Sequence, residues 1–235
     1  MGTLLLIRHG QASYGEVDYD RLSNRGQEQA RALGRALART RPLDAVYAGP
    51  LRRQQQTIAV AAAEAAAHGI QLPRLETLPE LAEYPAFEML QHLVPKLVAE
   101  DPKFAALESE PTPRLLDEAF HAVLGKWSRD EWAVDGLERV SEFVERVRTG
   151  LDRVLRGRRS GARIAAITSA GPIGVAVGLA FGIPAERMVR TSIVIRNASI
   201  TELVFRSHNF DWQPDQLSLV TFNLTAHLDD NVTER

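Results

Sequence analysis

The stretch Leu4-Leu5-Leu6-Ile7-Arg8-His9-Gly10-Gln11 decides how the rest of the chain is read. Four consecutive apolar residues, led by Thr3, predict a short strand buried on both faces, as in a parallel sheet. The run stops on a cation, an imidazole and a glycine. In an open α/β sheet ligands bind beyond the carboxyl ends of the strands, where this reading places Arg8 and His9. The planar fork of Arg8 suits a bidentate grip on phosphate or carboxylate oxygens. His9 is the side chain best matched to attack or proton transfer near neutral pH, and Gly10 lets the backbone turn sharply.

The segments that follow alternate helix and strand. Residues 12–24 are polar and loop-like, with Ser23 as the expected N-cap of a first helix. There Ala30, Leu33, Gly34 and Leu37 recur at i, i+3, i+4 and i+7, opposite Arg31, Arg35 and Arg39. Pro42 stops that helix and Leu43 to Tyr47 reads as a second strand. Ala48-Gly49-Pro50 then turns into a second helix, with Pro50 expected at its first position. That helix carries Arg52, Arg53 and Thr57 before an alanine-rich run, Ala59 to Ala67, and Leu72 to Leu78 gives a third strand.

Residues 84–136 change character, with five prolines and several aromatics among scattered charges. Helices are expected over 86–99 and 115–128, with a weaker one at 103–108, forming an insert over one end of the sheet. From Leu137, the spacing of Val140, Val144, Val147, Leu151 and Leu155 predicts one long amphipathic helix. Arg163–Ile167 reads as a strand and Gly171–Phe181 as an apolar helix; Ile193–Ile195, Ser199–Phe205 and Gln216–Val220 complete the sheet with antiparallel members. The last dozen residues read as a frayed tail. With no separating linker, the whole of 1–235 is expected to be one domain, with 84–136 as a cap inside it.

Composition narrows the function. The 235 residues are 45% apolar and 25% charged, enough for an ordinary globular core. A net charge of −2 without a basic stripe argues against nucleic acid, and no apolar run approaches the roughly 20 residues of a membrane span. Without cysteine the chain has no disulfide, thiolate ligand or thiol nucleophile. No leader pattern is seen, since the apolar start runs straight into Arg8, so a cytoplasmic protein is expected.

Arg8-His9-Gly10-Gln11 at the end of the first strand resembles the signature of the histidine phosphatase superfamily, the phosphoglycerate mutase-like fold. Gly49-Pro50-Leu51-Arg52-Arg53-Gln54-Gln55-Gln56-Thr57 is similar to that family's Ser-Pro-Leu-x-Arg-x-x-Gln-Thr stretch, which puts the anion-binding arginine on Arg53 and the variable position on Arg52. Leu78-Pro79-Glu80 resembles its Leu-x-Glu context after the next strand, making Glu80 the favoured general acid, with Glu83 three residues on as the alternative. The family's aromatic and glycine-rich continuation is replaced by Tyr84-Pro85-Ala86-Phe87-Glu88. A later His-Gly-Gly context corresponds to Ser169-Ala170-Gly171, so Ser169 stands where the family has its second histidine.

The resemblance implies a three-layer α/β fold, a mainly parallel sheet flanked by helices. It also implies a phosphomonoester hydrolase that works through a phosphohistidine on His9. Arg8 and Arg53 would clamp the phosphate, and Gln11, Ser169 and the backbone at Ala170 would add substrate contacts. No metal or other cofactor is needed in that scheme, because the arginines supply the positive charge. The partner is a small phosphorylated substrate or a phosphoprotein, and the apolar late strands permit a homodimer. Three alternatives stay open: a mutase-type transfer, a phosphate-ester-binding protein with little turnover because of Ser169, and a hydrolase using Ser169 as nucleophile.

Overall fold

The computed structural model describes residues 1–233 other than 14, 17, 209, 214 and 215, with the backbone alone at 108. In chain order the elements are β1 (Gly2–Arg8), α1 (Asn24–Ala38), β2 (Ala45–Ala48), α2 (Arg52–Ala67) and β3 (Leu75–Thr77). A single 3-10 turn at Pro79–Leu81 leads to α3 (Ala86–Glu100), a second at Pro102–Ala105 to α4 (Ala106–Ser109), and α5 (Pro113–Ser128) follows. Then come α6 (Val140–Leu155), β4 (Arg163–Thr168), α7 (Ala170–Phe181), α8 (Ala185–Ser192), β5 (Ile200–Phe205) and β6 (Leu217–Leu224).

The six strands form one sheet in the order β3-β2-β4-β1-β5-β6. β3, β2, β4 and β1 are mutually parallel, while β5 and β6 run antiparallel at one side. Four carboxyl ends therefore share one edge of the sheet. β1 lies inside, between β4 and β5, and its side chains alternate between two cores, as the period of a strand requires. Leu4 and Leu6 face α6 and α7, whereas Leu5 and Ile7 face Leu33 and Leu37 of α1 and Ile58 and Ala61 of α2. An apolar run with both faces covered is what the four-residue sequence pattern predicted.

The first of these cores extends without a break into residues 84–136. Met89, Leu93, Trp127 and Phe143 belong to the same buried cluster as Leu4 and Leu6. Tyr84 stacks 5.4 Å from Trp127 and meets Phe143 edge-on at 5.7 Å.

Three local expectations are corrected. Ile193–Ile195 is not a strand; it is the turn leaving α8, a helix whose Met188, Val189 and Ser192 are buried at helical spacing. A three-residue apolar run carries too few positions to distinguish the two periods. α2 begins at Arg52, not Pro50, because the Gln54 side chain accepts the Leu51 N–H and closes the first turn there. The tail, up to residue 233, is tied down. Leu228 is buried against Ala32 and Ala198, and Gln29 donates to the Asn231 carbonyl and to Thr233 Oγ1.

Candidate active site

The parallel strands deliver one chemical group each to the shared edge. β1 ends on Arg8 and His9, and the His9 N–H continues the ladder by donating to the Thr168 carbonyl of β4 at 2.8 Å. The other side of this turn is fixed by Ala198, whose N–H donates to the His9 carbonyl at 3.1 Å. Gly10 passes so close to α1 that a Cβ there would lie 2.5 Å from the Gly26 carbonyl oxygen, so the motif needs glycine for contact as well as for the turn. Its N–H donates to Thr57 Oγ1 of α2 at 3.0 Å.

His9 is 5% exposed. Its Nδ1–H donates to the Gly10 carbonyl at 2.8 Å, and its Nε2 accepts from Arg53 Nε at 3.0 Å. This pairing assigns the proton to Nδ1 and leaves the lone pair on Nε2, facing the arginines. Burial, together with the Arg53 and Arg8 charges, pushes the imidazole well below its ordinary value of 6.5 and keeps it neutral.

Arg53 is 8% exposed and its other end pairs with Asp20 at 2.5 Å, while Tyr19 lies under the guanidinium at 5.5 Å. Arg52, one residue away, points outward and pairs with Asp18. Arg8 donates to the Ile195 carbonyl. Burial lowers its pKa, and Glu83 is the charge that most opposes this.

The two candidate carboxylates separate cleanly. Glu80 is turned to α6, where its Oε1 accepts from Arg153 at 2.7 Å. Burial would raise its pKa, but hydrogen bonds from its own backbone and Arg153, with the Arg153 and Arg146 charges, hold it below the usual range. Glu83 is the carboxylate that shares the field of Arg53 and Arg8. Its Oε1 accepts the N–H of Gly171 at 3.1 Å, in the first turn of α7, and that of Tyr84 at 3.1 Å. Burial nonetheless raises its pKa, against Arg53 first and then these hydrogen bonds and Arg8. Gly171 makes the approach possible: a Cβ there would fall 2.1 Å from Glu83 Oε1. The sequence held this signal, since Leu81-Ala82-Glu83 repeats the Leu-x-Glu spacing of Leu78-Pro79-Glu80.

Ser169 and Gln11 are placed at the same edge but spend their side chains locally. Ser169 is fully buried, and its Oγ accepts from Gln54 Nε2 at 2.8 Å, which leaves no exposed serine nucleophile at the β4–α7 turn. Gln54 also donates to the Leu81 carbonyl, so one amide ties together the ends of β2, β3 and β4. Gln11 Oε1 accepts from Ser23 Oγ at 3.0 Å and its N–H donates to Gln29. Ala170 opens α7 beside the Gly171 N–H. The sequence reading named Gln54 and Thr57 without giving them a role, although polar residues in register with the apolar stripe of Ile58, Ala61 and Ala65 were the available signal.

A buried imidazole, Arg8 and Arg53, and a carboxyl with a raised pKa thus meet at the carboxyl ends of parallel strands, where α/β folds place their ligand sites. The family model of the histidine phosphatase superfamily (branch 1) matches residues 4–114 and 103–214, and the chain belongs to that superfamily. Comparison with curated proteins gave no match. Among solved structures, Bacillus stearothermophilus YhfR is similar, with TM-score 0.68 and 16% identity over 97% of this chain and 100% of that one. A phosphoserine phosphatase mutant from Entamoeba histolytica in complex with phosphoserine has TM-score 0.61 and 18% identity, covering 97% and 100%. A phosphoglycerate mutase from Bacillus anthracis has TM-score 0.62 and 17% identity, covering 97% and 96%. These likenesses establish the phosphoglycerate mutase-like fold. Among the described residues no helix is long and apolar enough to cross a membrane.

Proposed function

We propose that the chain is a phosphomonoester hydrolase in which His9 Nε2 is the nucleophile, Arg8 and Arg53 hold the phosphate, and Glu83 is the general acid and base. The observation that carries this reading is the orientation of His9. The Gly10 carbonyl takes the Nδ1 proton and Arg53 meets the bare Nε2, so the lone pair points where the guanidinium would hold a phosphate.

In the first step the Nε2–P bond forms as the ester P–O bond breaks, and the Glu83 carboxyl gives its proton to the leaving oxygen. In the second, water attacks phosphorus, the N–P bond breaks and Glu83 takes a proton from the water. The products are an alcohol and inorganic phosphate. Burial acts usefully on both partners: it lowers the His9 pKa, favouring the neutral imidazole, and raises that of Glu83, favouring the protonated carboxyl. The arginines answer the charge on the transferring group, which is where phosphoryl transfer needs most help. The substrate is a small phosphate ester, and residues 84–136 cover its leaving group.

The position of Ser169 favours one competing reading, a phosphate-ester-binding protein with little turnover. One experiment separates the two. Hydrolysis of an aryl phosphate and of a panel of alkyl phosphates is followed for wild type and His9→Ala, with quenching in alkali to preserve an acid-labile adduct. Turnover with an adduct in wild type alone is the expected result. Phosphate-ester binding with neither turnover nor adduct on any ester would support the binding reading.

A further inference from the structure

The carboxylate assigned above sits in a segment that has left the sheet. β3 ends at Thr77, a single 3-10 turn covers Pro79–Leu81, and Ala82 to Pro85 has no ladder. Something else must set the backbone from which Glu83 projects. Thr168 Oγ1 and Gln54 hold the Leu81 carbonyl, at 2.7 and 3.2 Å, and one face of α6 holds the residues on either side of it.

Arg146 reaches from α6 into the concave side of this segment. Its Nη1 donates to the carbonyls of Glu80 at 2.9 Å and Ala82 at 3.0 Å, and its Nη2 approaches the Glu83 carbonyl at 3.5 Å. The remaining donors form a fork on Glu138, at 2.6 Å to Oε1 and 2.9 Å to Oε2. The ring of Phe143, itself fully buried, lies 5.1 Å beneath the guanidinium. A planar group with five N–H donors in fixed directions can satisfy three carbonyls and a carboxylate together; an ammonium cannot. One turn further on, Gly150 lets the helix come close, because a Cβ there would lie 2.7 Å from the Glu80 Cβ. Arg153 then takes the Glu80 carboxylate. Positions 146, 150 and 153 fall at i, i+4 and i+7, so a single stripe of α6 meets Glu80, Ala82 and Glu83.

We infer that Arg146, braced by Glu138, is a positioning residue for catalysis: it fixes the backbone at residues 80–83 so that the Glu83 carboxyl is held at the phosphate site. Its hydrogen bonds go to the carbonyls of this segment and to Glu138, so it acts through Glu83. The inference rests on the assignment of Glu83 as general acid, and it adds a prediction that a merely structural arginine does not make. A misplaced acid matters in proportion to how badly the leaving group needs a proton. Alkoxides need one; a nitrophenolate barely does.

The test compares wild type, Arg146→Lys, Glu138→Gln and Glu83→Gln on an alkyl phosphate and on p-nitrophenyl phosphate, with thermal melting to confirm folding. Arg146→Lys keeps the charge and most of the volume but loses the fork. It is expected to lower kcat/KM, which reports the step that expels the alcohol and not the later hydrolysis common to both esters, by about 100-fold on the alkyl ester, the scale of a misplaced general acid, and by about threefold on the aryl ester. Glu138→Gln should show the same discrimination at about a tenth of that size. Equal losses on both esters in a folded Arg146→Lys, or no loss on either, would overturn the inference. Glu83→Gln separates the two failures. If it discriminates between the esters and Arg146→Lys does not, only the positioning role falls. If Glu83→Gln itself shows no discrimination, the assignment of the acid falls with it.

Discussion

The half of the proposed site that would hold phosphate and the half that would bear the acid are built by different means. Arg8, His9 and Arg53 stand on backbone that the sheet fixes directly: β1 is paired on both sides up to Arg8, and Arg53 lies in the first turn of the helix after β2. Glu83 stands on an irregular segment whose shape comes from Arg146, far along the chain, and from the α7 N-terminus. The first half follows from nearby sequence. The second is a tertiary product, and a short motif does not specify it.

The largest effect that sharpens this contrast is expected between neighbours. Arg53→Ala removes the donor that meets His9 Nε2 and should cost about 10³-fold in kcat, the upper range for losing one preorganised donor to a transition-state charge. Arg52→Ala removes an exposed cation paired with Asp18 and should change kcat by less than about threefold. Steady-state kinetics on one aryl phosphate checks both. Equal losses would mean that the helix start, not the particular side chain, carries the anion.

A second pair of variants tests the acid-bearing half. Glu83→Gln is expected to lower kcat on an alkyl ester by about 10²-fold or more, while Glu80→Gln leaves it within about threefold and costs less than about 1 kcal/mol, the price of a half-exposed ion pair. The pH profile gives an independent reading. The Glu83 pKa is raised above its ordinary 4.5, so the carboxyl keeps its proton through that value and kcat falls only as pH rises past the raised one. The His9 pKa lies well below 6.5, so the nucleophile stays free as pH falls through 6.5, and activity is lost only at the lower value. Relative to unperturbed groups, the His9 limb is therefore shifted down in pH and the Glu83 limb shifted up. In Glu83→Gln the alkaline limb disappears and the acid limb stays. If it survives in Glu83→Gln and vanishes in Glu80→Gln, the assignment reverses.

What the sequence made legible follows the same division. The buried run Leu4–Ile7, the Ser23 cap, which accepts the Gly26 N–H, and the arginine of α2 were readable because each depends on residues within a few positions of itself. The choice between Glu80 and Glu83 was not, because they have the same local spacing and differ only in what meets them in space: Arg153 in one case, Gly171 in the other. The turn at Ile193–Ile195 misled for the same reason, since three apolar residues look like a strand until α8 is seen to precede them. The tail looked frayed because its anchors, Gln29 and Asn197, lie far from it in the chain.

The smallest expected effect concerns Ser169, at the start of α7. The Ser169 oxygen is buried and accepts from Gln54, so its expected contribution is to the joint between β2, β3 and β4. Ser169→Ala removes one acceptor from Gln54 Nε2, which keeps its bond to the Leu81 carbonyl at 3.2 Å. A buried amide that retains one partner loses about 1 kcal/mol when a neutral hydrogen bond is deleted, so the variant should melt a few degrees lower while kcat changes by less than about twofold. Thermal unfolding and steady-state kinetics on the same preparation decide it. A loss of 10-fold or more in kcat at unchanged stability would place the hydroxyl on the substrate. The chain would then have kept a second phosphate donor at the end of β4, and the division between a sheet-built half and a packing-built half would have to be redrawn with Ser169 on the chemical side.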